Sequence, residues 1–172
     1  MKSAGLPIII SAFALLILQG CAGYQLGPVK PARFEGINTI SVPLFKNETL
    51  EPRAAPMLTN AVIASLQLDG TYKVGDPTGG SDAIFNGTFK NVERRQLRSA
   101  RFDTLATREL NYRVVCDWTL SLPDGTVIDQ GTDYGEAAIF LDPNFQLSER
   151  QALPLAAEDF AERVVSKISE GW

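Results

Sequence analysis

There is no histidine in the 172 residues, and no other absence narrows the chemistry as far. It removes Ser-His-Asp and Cys-His nucleophile systems together with imidazole-bound zinc or iron, because each needs a side chain that exchanges a proton, or lends a neutral nitrogen, near neutral pH. Glycine-rich phosphate loops are missing too: Gly79-Gly80 is followed by no Lys-Ser or Lys-Thr, so no nucleotide cofactor is implied. Carboxylates remain, and Asp133, Glu136 and Asp142 are the candidates for acid-base work. Acidic residues in hairpins and loops are ordinarily just solvated. The reading is a protein with no catalytic residues, no metal site and no cofactor.

Cysteine is scarce, and one of the two, Cys21, follows Leu18-Gln19-Gly20 at the end of an apolar run from Leu6 to Leu18. A run of about thirteen apolar residues is too short for a hydrocarbon core of about 30 Å, which needs roughly 20 in a helix. With Met1-Lys2 ahead of it, the run has the shape of an export signal that is cleaved rather than retained. The stretch up to Cys21 resembles the bacterial lipobox, in which the thiol is joined to diacylglycerol before the peptide ahead of it is removed. Several acyl chains on one residue give lasting attachment, since each buried CH₂ contributes about 0.8 kcal/mol. Ala22 follows Cys21 where an aspartate is the usual retention signal for the inner membrane, so the expected location is the outer membrane. Lipidation of Cys21 leaves Cys116 as the sole thiol and forbids an intramolecular disulfide. Cys116 falls on the apolar side of an alternating stretch and reads as core filler.

A surplus of positive charge is also lacking. The net charge is −4, so there is no general field to attract nucleic acid. The chain divides into a signal at 1–20, a lipidated cysteine and Pro/Gly-dotted tether at 21–35, and one domain of ordinary globular size at 36–172.

Within that domain, Gly36 to Phe45 is rich in β-branched and apolar residues and reads as a strand, with Pro43 at an edge or an end. Pro52 to Leu68 carries apolar residues at helical spacing, with Pro56 in its first turn and Asp69-Gly70 closing it. After a short stretch at Tyr72-Lys73-Val74, Ala83 to Val92 reads as a second strand with Phe85 and Phe89 flanking Gly87 on one face. Leu110, Tyr112, Val114, Cys116, Trp118, Leu120 and Leu122 then alternate with more polar neighbours, as in a half-buried antiparallel strand. Pro123-Asp124-Gly125-Thr126 turns that strand into Val127 to Tyr134. A second amphipathic helix follows. Ser148 and Gln151 resemble a capping box, but Pro154 interrupts a helix begun that early, so the regular helix is expected from about Pro154. The expected fold is α+β: a two-layer sandwich, a mostly antiparallel four-stranded sheet on two helices, in the order β-α-β-β-β-α.

One region stands out by charge. Lys90, Arg94, Arg95, Arg98, Arg101 and Arg108 gather between the second and third strands, against Glu93, Asp103 and Glu109. The plain reading is a solvated hairpin end. The sharper reading is an anion site, since the planar guanidinium fork matches phosphate or carboxylate in two-point contact.

Gly23-Tyr24-x-Leu26 follows Cys21, and after it come Ile37-x-x-Ile40-x-Val42-Pro43-x-Phe45-x-Asn47-x-Thr49, Pro52, Leu58-Thr59-x-Ala61 and Leu68-Asp69-Gly70-x-Tyr72-x-Val74. In this series the chain resembles the LptE family of lipopolysaccharide-assembly lipoproteins. The resemblance is dense from Gly23 to Val74 and continues as matching element order to the C-terminus. It implies a non-enzymatic lipoprotein on the periplasmic side of the outer membrane, or within a barrel lumen. There it would partner and plug the LptD β-barrel and assist assembly and lipopolysaccharide transport to the outer leaflet. The implied partners are an LptD-like barrel, lipopolysaccharide and the membrane itself. Arg94, Arg95, Arg98 and Arg101 are candidate lipopolysaccharide contacts by charge and position. The alternative is an auxiliary lipid-binding lipoprotein of an ABC-type envelope transporter.

Overall fold

The strongest period in the sequence becomes an interior strand of the sheet. A computed structural model describes residues 30–76, 78–98, 109–140 and 145–171, of which 96–98, 109, 140 and 145–149 are described by backbone alone. After a 3-10 turn at Ala32–Phe34 come β1 (Thr39–Ser41), β2 (Lys46–Asn47), α1 (Ala54–Asp69), β3 (Lys73–Val74), β4 (Ala83–Arg98), β5 (Glu109–Ser121), β6 (Val127–Phe140) and α2 (Phe145–Glu170). Residues Leu110 to Leu120 of β5 alternate as predicted, the even positions buried and the odd ones partly exposed. The β5–β6 turn closes with Leu122 N–H donating to Thr126 O at 2.8 Å, and the Asp124 carboxylate accepts from Thr126 N–H at 2.8 Å.

The α+β two-layer expectation holds, but the sheet differs from it in number and mixture. It has six strands in the order β3-β1-β4-β5-β6, with β2 also on β4. The β4–β5 and β5–β6 pairs are antiparallel, whereas β1–β3, β1–β4 and β2–β4 are parallel. The strand expected over Gly36 to Phe45 shortens to β1, ending ahead of Pro43, which has no N–H for a ladder, and β2 forms just beyond the expected span at Lys46–Asn47. Lys73-Val74 is too short to announce itself by period and becomes a strand by pairing with Thr39 and Ile40. The second expected strand runs on past Val92 to Arg98, because β5 extends to Glu109 and supplies partners for it.

The last helix also departs from expectation. It begins at Phe145 and carries Pro154 inside it. Proline there removes one i→i−4 hydrogen bond, a cost of about 3 kcal/mol. Ala152, Leu153, Ala156 and Ala157 on either side are all at most 1% exposed, and their burial against the sheet offsets that cost.

Both helices cover one face of the sheet. Phe45, Phe85, Phe89 and Phe160 lie in the core, with Phe45 edge-on to Phe160 and Phe85 stacked on Trp118 at 5.7 Å. Gly87 lies between Phe85 and Phe89 as expected, and its missing side chain leaves the space that the Phe45 ring fills. Cys116 is fully buried in the same core, and burial pushes its thiol well above the ordinary range, as suits a filler rather than a nucleophile. Among the described residues no helix is long and apolar enough to cross a membrane, which says nothing of strands.

Candidate functional site

Of the basic residues, Lys90, Arg94, Arg95 and Arg98 lie on β4. Because β4 extends to Arg98, Arg94 and Arg95 are consecutive strand residues and point to opposite faces. Arg94 pairs in register with Tyr112, on the helix-covered side, and its guanidinium lies 5.7 Å from the Tyr112 ring centroid. Arg95 pairs with Asn111 on the open side and sits 3.6 Å from Glu93. Lys90 stands at a register irregularity between Phe89 and Asn91, bonded to Glu48 at 2.5 Å and 3.8 Å from Asp117. The backbone of Arg98 is opposite Glu109, beyond a second shift. Its side chain, all of Arg101 and Arg108, and Cys21 lie outside the described residues. The structure thus divides Arg94 from Arg95 and ties Lys90 into acidic partners of its own.

Below this end, sequence reasoning missed a charged network. Arg113, opposite Glu93 on one side and Glu136 on the other, bonds Glu136 Oε1 through Nε at 2.6 Å and lies 3.8 Å from Glu93. Glu93 Oε2 is shielded from solvent between the Arg95 and Arg113 guanidiniums, with no hydrogen bond among the described residues. The Tyr134 ring has Arg113 at 4.1 Å and Arg163 at 5.1 Å. Asp159 of α2 accepts from Arg163 Nε and from the Glu136 backbone N–H, both at 2.8 Å. That second bond occupies an outward donor of β6, the last strand of the sheet, and so protects an edge that would otherwise invite pairing. The available signal was Arg113 on the polar side of an alternating strand; nothing in the sequence named its partners.

The carboxylates considered for acid-base work are already engaged. Asp133 accepts from Trp118 Nε1 at 2.8 Å and from Lys167 Nζ, and Glu136 is held by Arg113. Asp142 lies outside the described residues. Among the described residues no group of His, Cys, Asp and Glu is arranged to hold a metal.

Burial opposes ionisation of Glu136, but the hydrogen bonds from Arg113 and Asn111 and the Arg113 charge outweigh it and hold its pKa below the usual 4.5. A depressed carboxylate pKa stabilises the fold above the unfolded-state value and loses that contribution as pH falls through the folded-state value. Glu136→Gln is therefore expected to cost about 1 kcal/mol at neutral pH, and the gap to the parent should narrow as the pH falls below the ordinary carboxylate range. Urea unfolding midpoints at several pH values measure it; a pH-independent gap would assign the effect to packing instead.

Several solved structures share this architecture. A minor lipoprotein from Acinetobacter baumannii is similar at TM-score 0.53 and 11% identity, covering 79% of this chain and 95% of its own. The PelC dodecamer protein from Paraburkholderia phytofirmans is similar at TM-score 0.52 and 15% identity, covering 85% and 97%. At those identities the likeness is one of fold. No curated protein sequence matches the chain. The family model described as LptE, lipopolysaccharide-assembly, matches residues 37–168, and the chain belongs to that family.

Proposed function

We propose that the protein is a lipoprotein anchored through Cys21 in the outer membrane, where it partners and plugs an LptD-like β-barrel and assists lipopolysaccharide transport to the outer leaflet. In this reading residues 1–20 are removed, 21–35 form the tether, and the folded body acts without catalysis. The observation that carries it is the family match over 37–168, which spans the whole sheet, α1 and all but the last two residues of α2.

The arginine-bearing end of β4 fits the cargo's anionic character. Arg94 and Arg95 are both exposed, and they offer guanidinium groups on the two faces of one strand end. A phosphorylated glycolipid head that engages this end would gain charge-assisted hydrogen bonds. Replacing Arg94, Arg95, Arg98 and Arg101 together by glutamate is expected to weaken lipopolysaccharide binding about tenfold or more, given roughly 1.5–3 kcal/mol for each hydrogen bond to a charged group. Surface plasmon resonance on immobilised lipopolysaccharide reads it, with the melting temperature as control. Unchanged affinity in a folded variant removes the anion site.

The partnership is tested by affinity purification of the lipidated protein from detergent-solubilised envelopes, under stringent washing. One large β-barrel recovered at equal stoichiometry supports the reading. An inner-membrane transporter in its place transfers it to the auxiliary-lipoprotein alternative, and no retained partner overturns it.

A further inference from the structure

The helical layer carries a groove on its outer side. From Ala54 to Leu68, α1 contains no charged side chain. A helix with one face in water ordinarily places charges there, yet α1 presents Asn60, Ala64 and Gln67 to solvent and leaves Leu68 88% exposed. Beside it runs α2. The two helices are parallel: β1 and β6 point the same way through the sheet, and Ser169 Oγ bonds Asp69 at 3.1 Å where both helices end. Between them lies a cavity of about 460 Å³, lined by Met57, Ala61, Ala64 and Leu68 on one side and Pro154 and Ala157 on the other. From Met57 to Leu68 it extends roughly 16 Å, at about 1.5 Å per residue.

The rim of this apolar trough is acidic. Glu158 and Glu162 line it one helical turn apart. Like charges at that spacing are mildly unfavourable, and among the described residues neither makes an ion pair, although Asp159 between them is bound to Arg163. Small residues on the floor allow close approach of another backbone, and two unspent carboxylates along the edge select its charge.

We propose that the groove between α1 and α2 docks an amphipathic segment of a partner protein, an apolar ridge flanked by lysine or arginine. The glutamates disfavour two other occupants such a trough admits. An anionic lipid surface would be repelled by them, and a second copy docked through the same face would set glutamate against glutamate.

The test places a photo-reactive residue at Ala64 of the full-length lipidated protein in its native envelope and sequences the adduct by mass spectrometry. The expected adduct is one protein segment in which apolar residues are flanked by Lys or Arg. Glu158→Lys with Glu162→Lys should reduce the yield at least about tenfold, and changing the segment's cations to glutamate should restore it. Both glutamates are exposed, so the fold should survive; Glu158→Gln with Glu162→Gln provides a milder reduction should the reversal lower the melting temperature. Adducts to lipid alone, to a second copy, to a segment without cations, or no adduct at all overturn the proposal, as does a yield indifferent to the charge changes. Purification reads the partner's identity and the charge swap reads the groove's chemistry, so either proposal can fail without the other.

Discussion

Gly135→Val is expected to lower the melting temperature by roughly 6–12 °C, the equivalent of about 3 kcal/mol in a domain of this size. Gly135 lies in β6 directly beneath α2, opposite Val114 of β5. A β-carbon there would stand 2.7 Å from Phe160 Cβ and closer still to the Ala156 carbonyl oxygen. Two of the obstructing groups, the Ala156 carbonyl and the Phe160 amide, are helix backbone, which has no rotamer through which to yield. The helix must therefore move away from the sheet, and in doing so it stretches the adjacent bond from Glu136 N–H to Asp159. Valine's better strand propensity is worth less than about 1 kcal/mol and does not offset this. Thermal unfolding followed by circular dichroism measures the effect; an unchanged transition would mean that α2 does not cross β6 at this point.

Phe160→Ala is expected to cost about 3–5 kcal/mol. Phe160 is fully buried and edge-on to Phe45 at 6.4 Å and 88°. Phe45 in turn lies 6.0 Å from Phe85, which stacks on Trp118. Removing the Phe160 ring opens a cavity where α2 meets the phenylalanine cluster and leaves Phe45 with one aromatic neighbour, Phe85. A midpoint shift in urea at constant slope measures the loss, and a cost below about 1 kcal/mol would show that the surrounding side chains collapse into the space. The two substitutions share a contact and are not expected to add simply. The smaller residue at 160 does not rescue Gly135→Val, because the Ala156 carbonyl still obstructs.

Much of this was legible in the residues. The alternation from Leu110 to Leu120, the Pro123-to-Thr126 turn, the apolar spacing of α1 and the Phe85-Gly87-Phe89 pattern all reflect local periodicity that each element needs in order to bury one face. Two breaks in expectation share a cause. The two-residue β3 and the helical turns ahead of Pro154 each depend on what a distant segment offers: a strand to pair with, or a core against which to bury Ala152 and Leu153. For the candidate site, the chain displayed a surplus of arginine but not its distribution. Arg94 and Arg95 part to opposite faces once β4 is known to continue through them, and Arg113 acquires Glu93 and Glu136 only through the registers of β4 and β6.

By itself the sequence determined the class of the fold, the family motifs from Ile37 to Val74, and the absence of histidine chemistry, because hydrophobic period and residue inventory are local properties. The tertiary structure alone decided the parallel pairings of β1, β2 and β3, the partners of each charge, and the groove between α1 and α2. Those follow from which segments share a boundary, and the free energy of such a contact belongs to two stretches of chain at once.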